Sequence, residues 1–267
     1  MSFSPPSENS WILITGASSG IGEVFAKRFA QGGWNVILLA RSTDKLKTLA
    51  RSLENENKAK TLVIAVDLTD HAACRKVCEE IKTKGILIDG LVNNAGFGVG
   101  GKFVEVPLDR HLAMIDLNGR ALVELTHLFL GEMVERKRGF ILNISSTASF
   151  QPLPYSSVYA ATKSFVTSFT EALWLETKGT GVRILNLCPG VTKTNFGTAA
   201  GMGDFHKDPL AEEPEQVVET AFRALEGNAP TVISGWLNRF LIFIERLVPH
   251  RILLWLTFLV QKNRGRV

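Results

Sequence analysis

The chain has 267 residues, 45% of them apolar and 21% charged, with a net charge of +4 at pH 7 and a pI near 9.0. That composition describes an ordinary globular chain with one sizeable core, and it argues against disordered, collagen-like or low-complexity classes. Cys74, Cys78 and Cys188 make an odd count without framework spacing, which argues against a disulfide scaffold and points to a reducing, cytoplasmic setting.

Residues 1–10 are polar, carry Pro5-Pro6 and precede any apolar stretch, so they read as a flexible tail and not as a signal peptide. From Trp11 onward, apolar β-rich runs at 11–15, 35–40, 62–66, 87–92, 140–144 and 182–187 alternate with helical stretches, and 231–234 reads as a short last strand. Such alternation predicts an α/β, doubly wound parallel sheet of about seven strands, with right-handed crossovers placing helices on both faces. No linker or repeat divides the chain, so residues 11–235 read as one domain. His71, Cys74 and Cys78 can share a helix face, yet no fourth ligand or second Cys/His cluster accompanies them, and no metal is expected.

Two local patterns carry chemistry. The first run leads into Thr15-Gly16-Ala17-Ser18-Ser19-Gly20-Ile21-Gly22 and then into a helical pattern. Glycines there allow a tight turn and a close approach to a pyrophosphate, whose charge suits the free amides at a helix start. The spacing is G-x-x-x-G-x-G, which departs from the common G-x-G-x-x-G. The second pattern is Tyr159 and Lys163, which a helix places on one face, so that a phenol lies beside an ammonium able to lower its pKa.

Together with Asn93-Asn94-Ala95-Gly96, Asn118, Ser146 and Pro189-Gly190, these motifs occur in family order, and over roughly residues 10 to 235 the chain resembles the short-chain dehydrogenase/reductase superfamily. The resemblance implies a Rossmann-type fold and an oxidoreductase acting on a carbonyl or secondary alcohol. By the same implication Tyr159 donates the proton, Ser146 holds the substrate oxygen, Lys163 lowers the Tyr159 pKa and holds the nicotinamide ribose, and Asn118 supports a water leading to Lys163. Ser145 competes with Ser146, which is preferred because it lies thirteen residues before Tyr159, as in the family pattern.

Gly16, Ser18, Ser19, Gly20, Ile21 and Gly22 would form the phosphate turn. Asp67 and Leu68 would meet the adenine, and Asn94, Ala95 and Gly96, with Asn93, the cofactor floor. Pro189, Gly190, Val191 and Thr194 would meet the nicotinamide end. After the second strand, where NAD sites place a carboxylate, this chain has Arg41 and Ser42, so the expected cofactor is NADP(H).

Substrate residues are expected among Phe97, Phe150, Pro152, Leu153, Phe196 and Met202, with residues 195–209 as a mobile lid. Residues 236–267 depart from the plain family pattern. They hold six Lys/Arg against one Glu, which leaves 24 basic and 25 acidic residues elsewhere. Leu237, Phe240, Leu241, Ile244, Leu247 and Val248 share a stripe there, and C-terminal hydrophobic helices are expected. Pro249 and the charges make a spanning helix the poorest fit. An amphipathic segment on an anionic membrane, a subunit contact and a wall of the substrate pocket remain open.

The expected partner is thus a small, apolar, lipid-like substrate, in a homodimer or homotetramer, with possible peripheral membrane contact through 236–267. Nucleic acid is not expected, since the excess charge lies within an apolar tail. The rival reading is an NADP(H)-binding sensor or scaffold with incidental catalysis.

Overall fold

The computed structural model describes residues 7–263, and of Asn263 only the backbone. The strands are β1 (Trp11–Thr15), β2 (Asn35–Ala40), β3 (Thr61–Ala65), β4 (Ile88–Asn93), β5 (Gly139–Ile144), β6 (Val182–Cys188) and β7 (Thr231–Ile233). Between them lie α1 (Gly20–Gln31), α2 (Thr43–Asn57), α3 (Ala73–Thr83), α4 (Leu108–Ile115), α5 (Ala121–Glu135), α6 (Ser157–Glu176), α7 (Phe196–Ala199) and α8 (Pro214–Leu225). The helices α9 (Trp236–Glu245) and α10 (His250–Asn263) follow β7.

All strands are parallel, in the order β3-β2-β1-β4-β5-β6-β7. The chain therefore runs outward from β1 to one edge and then returns to build the other half, which leaves a crevice beyond the C-terminal ends of β1 and β4. Period-two alternation splits the core. Ile12, Ile14, Val36, Leu38, Leu142 and Ile144 face α1, α2 and α8, whereas Leu13, Ile37, Leu39, Leu91, Ile141 and Ile184 face α3, α5 and α6.

The strand boundaries differ from the sequence reading by one residue at several ends, because pairing with a neighbouring strand, not apolarity, sets them. Asn93 belongs to β4 since it pairs with Asn143 of β5, and Cys188 extends β6 opposite Ile233. The N-terminal segment is attached earlier than expected. Ser10 is buried and the Asn35 amide donates to the Glu8 carbonyl at 3.1 Å, while residues 1–6 of the expected tail lie outside the described residues.

The tail forms the two expected helices, with most of their apolar side chains exposed. In α9 the inward positions are Leu237, Asn238, Ile242 and Glu245, whereas Trp236, Phe240, Leu241, Phe243 and Ile244, with Leu247 just past the helix, are exposed. In α10 the buried positions are Leu253, Thr257 and Gln261. Arg264 and Arg266 lie outside the described residues. No helix among the described residues is long and apolar enough to cross a membrane.

One aromatic cluster anchors the α1/α8 layer. The Phe29 ring lies 4.6 Å from Phe222, 5.8 Å from Trp34 and 5.8 Å from Phe140, centroid to centroid. Phe29→Ala is expected to cost about 3–5 kcal/mol in urea-unfolding free energy, since the rings around it are held by different elements and cannot all collapse into the gap.

Candidate active site

After β1 the chain turns through Gly16 and Gly20, both left-handed with φ of 67° and 58°. A Cβ on Gly22 would lie 2.3 Å from the Gly16 carbonyl oxygen and 2.5 Å from Asn94 Nδ2, so only glycine lets α1 begin this close to the turn. Ser19 stands at the N-cap without capping the helix amides through its side chain. Those amides and the positive helix end therefore suit a pyrophosphate, with Ser18 and Ile21 half-buried beside them.

The turn is tied to the end of β4. Thr15 Oγ1 donates to the Val92 carbonyl at 3.3 Å and accepts from the amides of Asn94 and Ala95, both at 2.9 Å. The Asn94 amide returns a bond to the Thr15 carbonyl at 2.9 Å. From the other side, Thr194 Cγ2 would lie 3.0 Å from a Cβ on Gly20, so the loop after β6 meets the glycine turn.

At the end of β2, Arg41 is 79% exposed along its side chain and lies 3.8 Å from the Asp67 carboxylate. Burial raises the Asp67 pKa, but the Thr69 amide and hydroxyl and the Arg41 charge outweigh it, and the carboxyl titrates below its usual value. Ser42 is exposed at the start of α2, and Leu68 is buried with its carbonyl accepting from Arg120 at 2.9 Å. An exposed, loosely paired guanidinium is free to exchange its carboxylate for a phosphate.

Tyr159 and Lys163 lie one turn apart near the start of α6, both buried. Lys163 Nζ donates to the Ile144 carbonyl at 2.8 Å and lies 5.9 Å from the Tyr159 ring centroid. Ser146 accepts from the Ala148 amide at 3.1 Å and donates to the Pro189 carbonyl at 3.5 Å, with its hydroxyl near enough to Tyr159 to favour the phenolate. Its competitor Ser145 is turned away, donating to the Lys163 carbonyl at 2.8 Å.

Asn118 lies in a π-turn over Asp116–Arg120 that interrupts α4 and α5, a distortion common at functional sites. Its Oδ1 accepts from the Phe97 amide at 3.0 Å, and its Nδ2 donates to the Phe97 carbonyl at 2.9 Å and to Thr162 Oγ1 at 3.1 Å. A Cβ on Gly96 would lie 2.9 Å from Asn118 Oδ1 and 3.5 Å from Lys163 Nζ, so glycine keeps the space between them open.

The electrostatics differ from the sequence expectation for Tyr159. Burial dominates and pushes its pKa up to about 12, with the Ser146 hydrogen bond opposing, because Lys163 directs its ammonium to Ile144. Burial also pulls Lys163 down to about 8. The phenol is thus fully protonated at neutral pH.

Phe97, Leu153, Phe196 and Met202 gather around Tyr159, Met114 and Ala148, and the Phe196 ring lies 5.6 Å from that of Tyr159. Phe150 is half-buried and Pro152 exposed, and both lie outside this cluster. Pro189 accepts from the Thr147 amide at 2.9 Å and Val191 from the Glu212 amide at 2.9 Å. Gly190 lies where a Cβ would be 2.3 Å from Asn238 of α9.

Sequence reasoning passed over a buried polar row behind the site. Asn93 Nδ2 donates to Asn143 Oδ1 at 2.8 Å and Thr126 at 3.1 Å, and Asn143 Nδ2 to Thr170 of α6 at 3.0 Å. Asn186 continues the row in register. The signal was present as one asparagine within a residue of the end of each of the runs 87–92, 140–144 and 182–187.

A family model described as short chain dehydrogenase matches residues 10–203. The chain belongs to this family. It is 36% identical over 219 residues to a sulfoacetaldehyde reductase 2 of Chromohalobacter salexigens, covering 79% of this chain and 86% of that one. It is 36% identical over 231 residues to the very-long-chain 3-oxoacyl-CoA reductase of Rattus norvegicus, covering 84% and 70%. Among solved structures, a short-chain dehydrogenase from Sphingobium yanoikuyae in complex with NADPH superposes with a TM-score of 0.79 at 32% identity, covering 84% of this chain and 87% of that one.

Burial of Lys163 has a pH signature. Its pKa of about 8 lies below the ordinary 10.5, so below pH 8 it is charged in both folded and unfolded chains and its burial cost is fully present. Between about 8 and 10.5 the folded chain releases the proton first and the cost lifts. The stability of Lys163→Met relative to the wild type is therefore expected to fall by roughly 3 kcal/mol from pH 7 to above pH 10, read from paired denaturant titrations.

Proposed function

We propose that this short-chain dehydrogenase is an NADP(H)-dependent oxidoreductase that reduces the carbonyl of an apolar, lipid-like substrate, or oxidises the corresponding secondary alcohol. Residues 11–235 form the catalytic unit and 236–267 an extension. The chain acts in the cytoplasm as a homodimer or homotetramer, with the extension at a membrane surface.

One observation carries the reading: a neutral phenol stands in an apolar cluster, and Gly96, facing its neighbour Lys163, lies two residues beyond the Asn94 that closes on the glycine turn. A nicotinamide held there would supply the hydride. Tyr159 gives its proton to the oxygen on which charge develops, and Ser146 donates a hydrogen bond to that oxygen. Lys163, held by Ile144, offers its remaining ammonium hydrogens to the ribose, while Asn118 fixes the Phe97 backbone that floors the cleft. The first-turn amides of α1 would hold the pyrophosphate, Asn94, Ala95 and Gly96 would form the cofactor floor, and Thr194 would meet the carboxamide. Arg41 and Ser42 would take the 2'-phosphate, and Asp67 and Leu68 would meet the adenine.

Phe97, Leu153, Phe196 and Met202 favour an apolar chain or ring beside the reacting carbon, with Phe150 and Pro152 further out at the rim. The sensor reading has less support, since a binding module has no use for a serine aimed at a buried phenol.

Steady-state oxidation of NADPH against ketones and aldehydes of increasing apolar size tests this reading. Turnover should rise with apolar size. Tyr159→Phe should lower kcat by roughly 100-fold or more while leaving the NADPH Kd within about twofold. Wild-type turnover in that variant would remove the proton-donor role, and NADPH binding without turnover on any substrate would favour the sensor.

Arg41→Ala is expected to weaken NADPH binding by roughly 10-fold or more and to leave NADH binding unchanged, as measured by cofactor fluorescence. An equal loss for both cofactors would contradict the phosphate contact.

A further inference from the structure

The helices α9 and α10 turn polar residues inward beside Ile242 and Leu253 and leave most of their apolar side chains exposed. Asn238 of α9 donates to the Ser234 carbonyl at 2.8 Å and to Glu212 at 3.3 Å, and the Gln151 amide donates to the Glu245 carboxylate. Burial raises the Glu245 pKa. In α10 the Phe258 ring stacks 6.3 Å from Tyr155. The inner face of α9 is thus held by Ser234, Glu212 and Gln151 and that of α10 by Tyr155, and Gln151 and Tyr155 belong to one segment between Ser146 and Tyr159 in the chain.

What remains outside is greasy. Trp236 is 77% exposed, Trp255 66%, Phe243 59% and Phe240 55%. Trp236, Phe240, Phe243, Ile244 and Leu247 follow helical spacing, and Ile252, Trp255, Leu256, Leu259 and Val260 repeat the pattern on α10. Isolated exposed apolar residues need no explanation, but two successive helices with continuous stripes do. The exposed cations Arg239, Arg246, Arg251 and Lys262 border them.

We propose that the outward faces of α9 and α10 dock on an anionic lipid bilayer. The inference rests on the membrane-surface part of the preceding reading, not on catalysis, and deepens it by naming the face, the lipid charge and the orientation. At 14 residues α10 spans about 21 Å, short of the roughly 30 Å hydrocarbon core, so the helices lie in the interface and do not cross it. Tryptophan favours that depth, and the bordering cations match anionic headgroups.

Self-association through the same face is disfavoured by its charge. It would bring these cations near their own copies, and the tail's one carboxylate, Glu245, is turned inward to Gln151. Docking would set the segment 151–155, and with it one border of the Tyr159 cleft, toward the lipid. An apolar substrate could then pass from the bilayer to the phenol without crossing bulk water.

Flotation of the full chain with vesicles tests the docking surface. The protein should float with 70:30 phosphatidylcholine:phosphatidylserine vesicles and much less with pure phosphatidylcholine. The triple variant Trp236→Ser/Phe240→Ser/Trp255→Ser should lose at least tenfold in partitioning. Arg246→Glu/Arg251→Glu/Lys262→Glu, which keeps the apolar stripes and leaves Arg239 beside Glu212, should lose on the order of 100-fold. Both should keep the wild-type melting temperature and NADPH turnover on a water-soluble ketone.

Wild-type protein that stays unbound at every composition overturns the proposal, as does wild-type partitioning by the two variants. So does a serine variant that changes oligomeric state in light scattering while vesicle binding persists, since the face then joins copies of the chain. If the serine variant does not fold, the charge-reversal variant decides alone. Vesicle binding without turnover on any substrate would sink the enzymatic reading and leave the docking surface standing.

Discussion

The hydrogen-bonded clasp between Thr15 and Asn94 holds together the two halves on which the site depends. β1 and β4 are adjacent in the sheet but their following loops run to opposite sides, so nothing in the ladder itself fixes how far apart those loops stand. Thr15 Oγ1 closes that gap by receiving two amides from the β4 loop, and the Asn94 side chain answers from the opposite direction. The clasp leaves no room for a Cβ at Gly16 or Gly22. The glycines of the turn thus follow from a packing demand inside the protein, before any ligand approaches, and the same demand puts the start of α1 against the cleft.

A second constraint fixes α6. The row Thr126–Asn93–Asn143–Thr170 crosses from α5 through two strands to α6, and it is buried along its length. Buried polar groups are costly unless paired, so a rotation of α6 that moved Thr170 would take away the acceptor of the Asn143 amide. Ser145 adds a bond to the Lys163 carbonyl two turns earlier on the same helix. The orientation of Tyr159 and Lys163 is therefore set from behind by groups that never reach the cleft, which is how a helix carries two reactive side chains at fixed separation.

Much of this was legible in the chain. The alternation of β-rich and helical runs gave seven strands with ends correct to about a residue, because parallel strands buried on both faces leave a continuous apolar signal. The glycine turn and the Tyr159–Lys163 spacing could be read because their geometry is local. What depended on residues far apart could not be read so well. Periodicity located the apolar side of α9 only roughly, and it could not say whether that side turns in or out. The choice is made by Ser234, Glu212 and Gln151, whose hydrogen bonds claim Asn238 and Glu245. Likewise Lys163 looked like a neighbour that acidifies Tyr159, whereas its bond to Ile144 and the burial of both groups decide their acidities.

Burial that raises the phenol and lowers the ammonium has one chemical meaning. Taking water away penalises the phenolate and the ammonium alike, so the cleft by itself favours neutral groups. A proton held by a phenol at about 12 leaves readily only toward an oxygen that is becoming strongly basic, as a carbonyl oxygen does when it gains a hydride. The same dry surroundings that suit an apolar substrate thus tie proton release to the reaction and suppress it otherwise. Phe196 and Phe97 contribute to both effects at once, since the walls that would receive the substrate are also those that keep water from Tyr159.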